Sequence, residues 1–474
     1  MILKQSPRAN PISRRSLMLG VAKAGTVASA GLVIACGTEP VASPAPASTK
    51  APATIRFAAA GIGSELAIWT EVVASFNALG TGITVSYEPC TAGTASAQDC
   101  LPVYFTQFVG GSAPDVWRVD DEPLPFYADK AMYRELDTLF SRDSKELKPE
   151  DFFPRAIAAM RYDRTSGMFG QGKLYGLPFN TGGDVLYVNK RLFKEAGINP
   201  PPVDGNWTID DWLEMSRKVT TLEAGGPLLR TSALTARPSF RGNVSFLWAR
   251  GADFLDAKGK WNFNSVNNIK AYEWFVDLQR KHRLFPTADD LAGAFKGNGF
   301  LNERSAMWLS YPNNLRELYT RPQIETEIVP FPKAIDGKRY TRETADGVGL
   351  PEGGKQPEPA WTFTKWLASG DGARIFNKAG RAVPARRSAA AAPDFIRSDT
   401  PQREENVTGA LDYSRLQPVT LMFNDAEQII KTYENAMFDD KSPMPVSTAM
   451  QQLQDILEKL ERDKAKPVGW EPKR

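Results

Sequence analysis

The chain has 474 residues, with 58 basic and 55 acidic side chains, 42% hydrophobic residues, three cysteines and one histidine. That length exceeds one ordinary hydrophobic core and implies two folded halves. A formal charge of +3 without any Lys/Arg stripe interleaved with aromatics excludes a nucleic-acid binder, and the single histidine, His282, leaves too few ligands for a metal centre.

In chain order, Arg14-Arg15 followed by Ser16-Leu17-Met18-Leu19 resembles the twin-arginine export signal, a receptor-read address. Residues 17–35 are rich in Ala and Gly and interrupted by Lys23, a poor match to the ~20 strongly apolar residues of a spanning helix. The run ends in Val33-Ile34-Ala35-Cys36-Gly37, which resembles the lipobox of bacterial lipoproteins, where the cysteine receives a thioether-linked lipid and the preceding peptide is removed. Residues 1–35 therefore read as a signal peptide and Cys36 as the lipidation site. Residues 36–53 combine Pro, Ala and Ser without an aromatic residue, a composition that forms a semi-extended tether of up to about 50 Å. The signal carries Lys4, Arg8, Arg14, Arg15 and Lys23 and no acid, so the remainder holds 53 basic and 55 acidic groups, a charge of −2. The basic balance belongs to the signal.

The body opens with TIRFAAAG, a short β run into Gly61. Apolar residues at helical spacing over 66–79 then give a helix stopped by Gly80, and ITVSYE alternates as a strand. Cys90 and Cys100 bound a Gly/Ala/Ser-rich loop; outside the cytoplasmic membrane, two cysteines so near each other read as a disulfide. LPVYFTQFVGGSAPDVWRVD gives a helix, a Gly-Gly stop and a strand running into Asp120, Asp121 and Glu122. Strand–helix alternation is the pattern of a parallel sheet with crossover helices, whose ligands bind beyond the carboxyl ends of the strands. That rule points to residues 61–65, with Gly61 and Glu65, and to 116–122. Further on, NWTIDDWLEMSRKVTTL is an amphipathic helix capped by Thr208, FLDAKGKWNF is hairpin-like, and residues 419–462 read as two helices.

Five stretches, GSAPDVW, GKLYGLPFNTGGDVLYVNKRLFKEAGI, SAMWLSYPNNL, EIVPFPKA and GLPEGGKQPEPAWTFTKWLAS, follow one another behind the export signal. In that order they resemble the family-1 extracellular solute-binding proteins of ABC importers, the maltose-binding type, over residues 54–460. The resemblance implies an α/β, two-lobed periplasmic-binding-protein fold (type II), each lobe a mostly parallel sheet flanked by helices, with a hinge between them and the ligand in the cleft. It assigns residues 54–178 and 345–400 to the N-terminal lobe and 179–344 and 401–474 to the C-terminal lobe. YGLPFNTGGDVLY matches the first lobe crossing, so Asn180, Thr181 and Gly182 are expected at the cleft floor, with the glycines suiting a backbone that must swivel. The loop after PDVW brings Asp120, Asp121 and Glu122 to the ligand. Arg241, Asn243 and Trp248 in SFRGNVSFLWARGADF, Ser310, Tyr311 and Asn313 in WLSYPNNL, and Asn424 in PVTLMFNDAEQ complete the expected set. Asn313 and Asn424 stand where maltose binders offer aromatic rings, which favours a smaller or more heavily hydrogen-bonded sugar than a maltodextrin.

These residue types suit a saccharide, since Trp and Tyr cover the C–H face of a pyranose while Asn, Asp, Glu and Arg fork onto its hydroxyls. The expectation is a monomeric substrate-binding lipoprotein of an ABC importer, held outside the cell membrane, with no cofactor and no enzymatic activity. It captures a mono- or oligosaccharide by hinge closure and delivers it to a membrane permease. The competing readings are the same fold binding a peptide, polyamine or anion, and an exported polysaccharide-acting enzyme. An anion site wants several arginines, and only Arg241 is an obvious one. A glycosidase needs two carboxyls about 5–10 Å apart across its substrate, which adjacent residues on one loop rarely provide.

Overall fold

The computed structural model describes residues 52–464 apart from 61–62, 92–96, 236–238, 379, 381, 394 and 396–400. The export signal, Cys36, all but the end of the tether, and Gly61 lie outside the described residues. The principal strands are β1 (Ala53–Ala60), β2 (Ile83–Cys90), β3 (Val116–Asp120), β4 (Leu177–Gly183), β5 (Val185–Asn189), β6 (Leu229–Leu234), β7 (Ser305–Ser310), β8 (Thr326–Val329), β9 (Thr341–Gly349), β10 (Val383–Pro384) and β11 (Ser414–Leu416).

Two sheets organise the chain. The first runs β10-β4-β9-β3-β1-β2, with β11 beside β9; the second runs β8-β5-β7-β6 and ends on the short edge strand Thr221–Leu222. Both sheets are mixed, where mostly parallel ones were expected. Only β1 with β2 and β3, β9 with β11, and β6 with β7 are parallel; β9 is antiparallel to both β3 and β4, and β5 is antiparallel to both β7 and β8. Parallel pairs need a crossover, as the helix Gly63–Asn77 supplies between β1 and β2. The segments that pass between the halves enter the sheets without such a helix.

The first core is largely aromatic: Phe57 meets Trp69 at 5.1 Å and Phe363 at 5.2 Å between ring centroids, and Trp69 meets Phe376 at 4.6 Å. In the second sheet the pleat divides the apolar residues. Leu186, Val188, Met307 and Leu309 face a core shared with the helices Phe240–Ala249, Val266–Arg280, Phe423–Met437 and Val446–Lys464. Val185 and Tyr187 point the other way and join the first core. The helix Ile209–Val219 starts as its sequence indicates: Thr208 accepts from Asp211 N–H at 3.2 Å, and the Asp211 carboxylate accepts from Thr208 N–H at 2.8 Å. Such a capping box contributes ~1 kcal/mol. No helix among the described residues is long and apolar enough to cross a membrane.

The chain passes from the first sheet to the second at Asp184, between β4 and β5. Asp184 is 1% exposed and accepts two bonds from Arg342 of β9, at 3.0 and 3.1 Å. The two crossing strands are thereby fixed to each other where the halves meet.

Cys90, at the end of β2, is bonded to Cys100 in the helix Ala97–Val109, with 6.1 Å between their Cα atoms. The bridge closes a loop with a sequence separation of 10 residues. On the chain-entropy model a loop of this size contributes roughly 3 kcal/mol. Replacing both cysteines by serine is expected to lower the free energy of unfolding by about that amount in urea titrations of the oxidised protein, with reductant having no further effect on the variant.

Candidate functional site

Residues two apart on a strand share a face. On β3 this puts Arg118 and Asp120 together at the carboxyl end, just before the acidic turn Asp121-Glu122. The pairing register then sets Asp120 directly opposite Asp346 of β9, and Asp346 opposite Asn180 of β4. Like charges directly opposite are destabilising, so this row needs a cation. Arg118 provides it. Its guanidinium, 10% exposed, lies 2.7 Å from Asp120, 2.9 Å from Glu65 in the first turn of the helix Gly63–Asn77, and 3.1 Å from Asp346. Asn180 completes the row, donating to the Asp346 carboxylate at 2.9 Å and accepting from its N–H at 3.0 Å.

One guanidinium cannot balance three carboxylates. Burial, then the neighbouring Asp346 and Glu65, outweigh Arg118 and push Asp120 up to about 8, with a hydrogen bond to Asp346 favouring the protonated form. Asp121 is raised well above the usual carboxyl range by burial and by Glu122, Asp346 and Asp120. It is 3% exposed, and its Oδ2 has no hydrogen-bond partner.

Glu122 faces the other half. Arg241, in the helix Phe240–Ala249, donates to both its oxygens at 2.8 and 2.7 Å, and Gln417 donates at 2.9 Å. Arg241 also lies 3.6 Å from Glu427 of the helix Phe423–Met437. Next to this bridge is a recess of about 210 Å³ lined by Leu101, Glu122, Pro123 and Phe126 from one half and residues 421–425 from the other. Asn424 contributes to its wall, with a buried Oδ1 that has no partner. Acidic and amide groups thus converge from both halves on a pocket with apolar sides.

The remaining expected residues are placed differently. Thr181 is fully buried and donates to Glu343 at 2.8 Å, on the opposite face of the crossing strands from Asn180 and Asp346; Ser414 of β11 donates to the other Glu343 oxygen. Gly182 and Gly183 have no positive φ, so neither is there for a special backbone conformation. The reason at Gly182 is contact: a Cβ there would lie 2.7 and 2.9 Å from the Tyr311 ring. Ser310 accepts from Asn314 at 2.6 Å, and Asn313 sits in the short turn Pro312–Asn314. Asn243 lies at a kink in its helix and accepts from Ser239 N–H at 3.1 Å. Trp248 is 2% exposed in the second core, with the Arg415 guanidinium 4.8 Å over its ring. The structure therefore brings together Glu65, Asp120, Asp121, Glu122, Asn180 and Arg241, with Asn424 at the recess, and keeps Thr181, Asn243, Trp248 and the Ser310–Asn313 group apart from them.

Sequence reasoning missed Arg118, Asp346 and Gln417. The period-2 spacing in VWRVD pointed to Arg118, and the alternation of charged and small residues in TRETADGVG pointed to Asp346. For Gln417 no local signal existed.

The chain belongs to the bacterial extracellular solute-binding protein family, whose family model matches residues 60–374. An arabinooligosaccharide-binding protein of Halalkalibacterium halodurans is 27% identical over 113 residues, 24% of this chain and 24% of that protein, so the match spans about a quarter of that relative. A Sinorhizobium fredii periplasmic-binding protein assigned to an amino-acid ABC transporter is 26% identical over 67% of this chain and 68% of its own length. Among solved structures, an ABC substrate-binding protein from Listeria monocytogenes in complex with cycloalternan superposes with a TM-score of 0.72 at 19% identity, covering 86% of this chain and 99% of that one. That likeness gives the fold: the two-lobed α/β architecture of periplasmic binding proteins.

Two outcomes follow from this geometry. Gly182→Ala forces the Tyr311 ring to move and is expected to cost about 1–3 kcal/mol in denaturant unfolding, part of which Tyr311→Ala restores in the double variant. The raised carboxyls also set a pH dependence. Between the unfolded value of about 3.9 and the folded value of about 8, the folded chain holds protons that the unfolded chain has lost, so stability falls as pH rises through that window. Asp121→Asn should flatten the slope of unfolding free energy against pH between 4 and 8 relative to the parent.

Proposed function

We propose that this protein captures a mono- or oligosaccharide in the cleft between its halves and delivers it to an ABC permease. In this reading it is held outside the cell membrane through a lipid on Cys36. The observation that carries the reading is the recess shared by both halves, with Leu101, Phe126, Met422 and Phe423 as apolar walls and Glu122 and Asn424 as acceptors. A pyranose offers a C–H face and a rim of hydroxyl donors, and such a pocket complements both. Its size, about 210 Å³, lies below the ~300–1,000 Å³ of drug-sized sites and suits one or two rings at the contact. The arabinooligosaccharide-binding relative and the cycloalternan complex support a saccharide.

The likeness to an amino-acid transport protein supports a second reading, a small amine-bearing non-sugar ligand. A thermal-shift and calorimetric panel of sugars, amino acids, peptides and polyamines separates the two. A site filled at 100 times Kd adds ~2.7 kcal/mol of stability. The saccharide reading expects that gain with at least one sugar; a gain with amino acids, peptides or polyamines alone would hand the site to the second reading.

A further inference from the structure

Charge in the cleft is unevenly shared. Arg118 serves Glu65, Asp120 and Asp346; Arg241 serves Glu122 and Glu427; Arg342 serves Asp184. Asp121 makes no ion pair and is the most isolated of these carboxylates. A buried carboxylate without a partner is costly, and folded proteins normally supply one. Here the protein's own donors are already committed, Arg241 and Gln417 to Glu122.

Two buried acceptor atoms remain open, Asp121 Oδ2 and Asn424 Oδ1, and Asn424 is on the recess wall. Glu122 connects them, since it follows Asp121 in the chain and lines the recess itself. The cleft therefore lacks hydrogen-bond donors and positive charge together. A sugar hydroxyl supplies the first and not the second. An ammonium supplies three N–H donors and a charge. A cation already bridges the two halves in this structure: the Arg241 guanidinium, 43% exposed, reaches from Glu122 of one half to Glu427 of the other. A negatively charged ligand would add to the imbalance.

We propose that the ligand is an amino sugar, whose ammonium is received by Asp121 beside Glu122 while its ring lies against Leu101, Phe126 and Met422. This rests on the saccharide reading above and narrows it. Burial among Asp120, Glu122 and Asp346 raises the Asp121 carboxyl in the way expected of an acid awaiting a counter-charge.

The test is isothermal titration of the full chain at pH 7 with matched sets: glucosamine, N-acetylglucosamine, glucose and glucuronate, the corresponding galactose set, and the β-1,4-linked disaccharides of glucosamine and of glucose. Spermidine and lysine serve as non-sugar cations. The expected result is at least tenfold tighter binding of an amine sugar than of its neutral and acetylated counterparts, with no detectable binding of the uronate. Asp121→Asn should reduce that ratio to within about threefold. The ratio in the parent protein decides the matter by itself should the variant fail to fold. A neutral sugar binding as tightly as its amine counterpart, or an unchanged ratio in a folded Asp121→Asn protein, overturns the amino-sugar proposal and leaves the saccharide reading standing. Binding of spermidine or lysine without any sugar, or of no member of the panel, overturns both.

Discussion

Arg118 lies beneath the cleft with three carboxylates on one guanidinium, and the geometry above it depends on that contact. The register of β3, β9 and β4 places Asp120, Asp346 and Asn180 in one row across three adjacent strands. Without a cation, the pair Asp120–Asp346 would oppose its own sheet. Arginine suits the position because its planar fork carries five donors and stays charged when buried, whereas a lysine would present a single point charge that burial discharges. The same contact reaches Glu65 on the helix Gly63–Asn77, so one side chain relates three segments distant in the chain. Removing the guanidinium would leave several buried acids uncompensated, a more damaging change than never having built the pair.

The crossing strands carry polar groups on both faces, which is unusual for strands buried in a sheet. Asp346 and Asn180 face the cleft floor, while Glu343 faces the other way, held by Thr181 and by Ser414 of β11. Arg342 secures Asp184 at the passage between the sheets, and its backbone N–H reaches Ser245 of the helix Phe240–Ala249 at 3.0 Å. A one-residue slip of β9 would exchange the environments of Glu343 and Asp346 at once. The polar inventory therefore specifies the register of the strands on which the two halves depend, and movement between the halves must leave these pairs intact.

Much of this was legible where the determinants are local. The Cys90–Cys100 bridge, the Thr208 cap and the strand–helix–strand opening each rest on residues near one another in the chain. The acidic turn after β3 was recognisable as a cleft element for the same reason. Gly182 was marked as special, but its cause is the Tyr311 ring, which arrives from a strand far along the chain. Trp248 looked suited to stack on a sugar; its fate was settled by the packing of four helices around it and by Arg415 above the ring, neither of which leaves a trace in SFRGNVSFLWARG. The mixed sheets escaped prediction because strand direction depends on where a crossing segment re-enters, and no local pattern encodes that.

The contact between Glu122 and Arg241 joins two side chains in very different surroundings. Glu122 is 6% exposed and Arg241 is 43% exposed. Releasing the arginine to water costs that residue little, because its guanidinium is already near solvent and exposed ion pairs contribute only ~0–1 kcal/mol. The glutamate cannot follow it. If the arginine leaves while the halves stay closed, the buried carboxylate must find another donor, and only Gln417 remains to it among the donors described. A ligand entering the recess meets Glu122 on its wall, so the ligand and Arg241 compete for one acceptor. The pair therefore favours closure in the absence of ligand and weakens the apparent affinity by the same interaction, since a ligand shifts the balance only by what it gains over the contact it replaces.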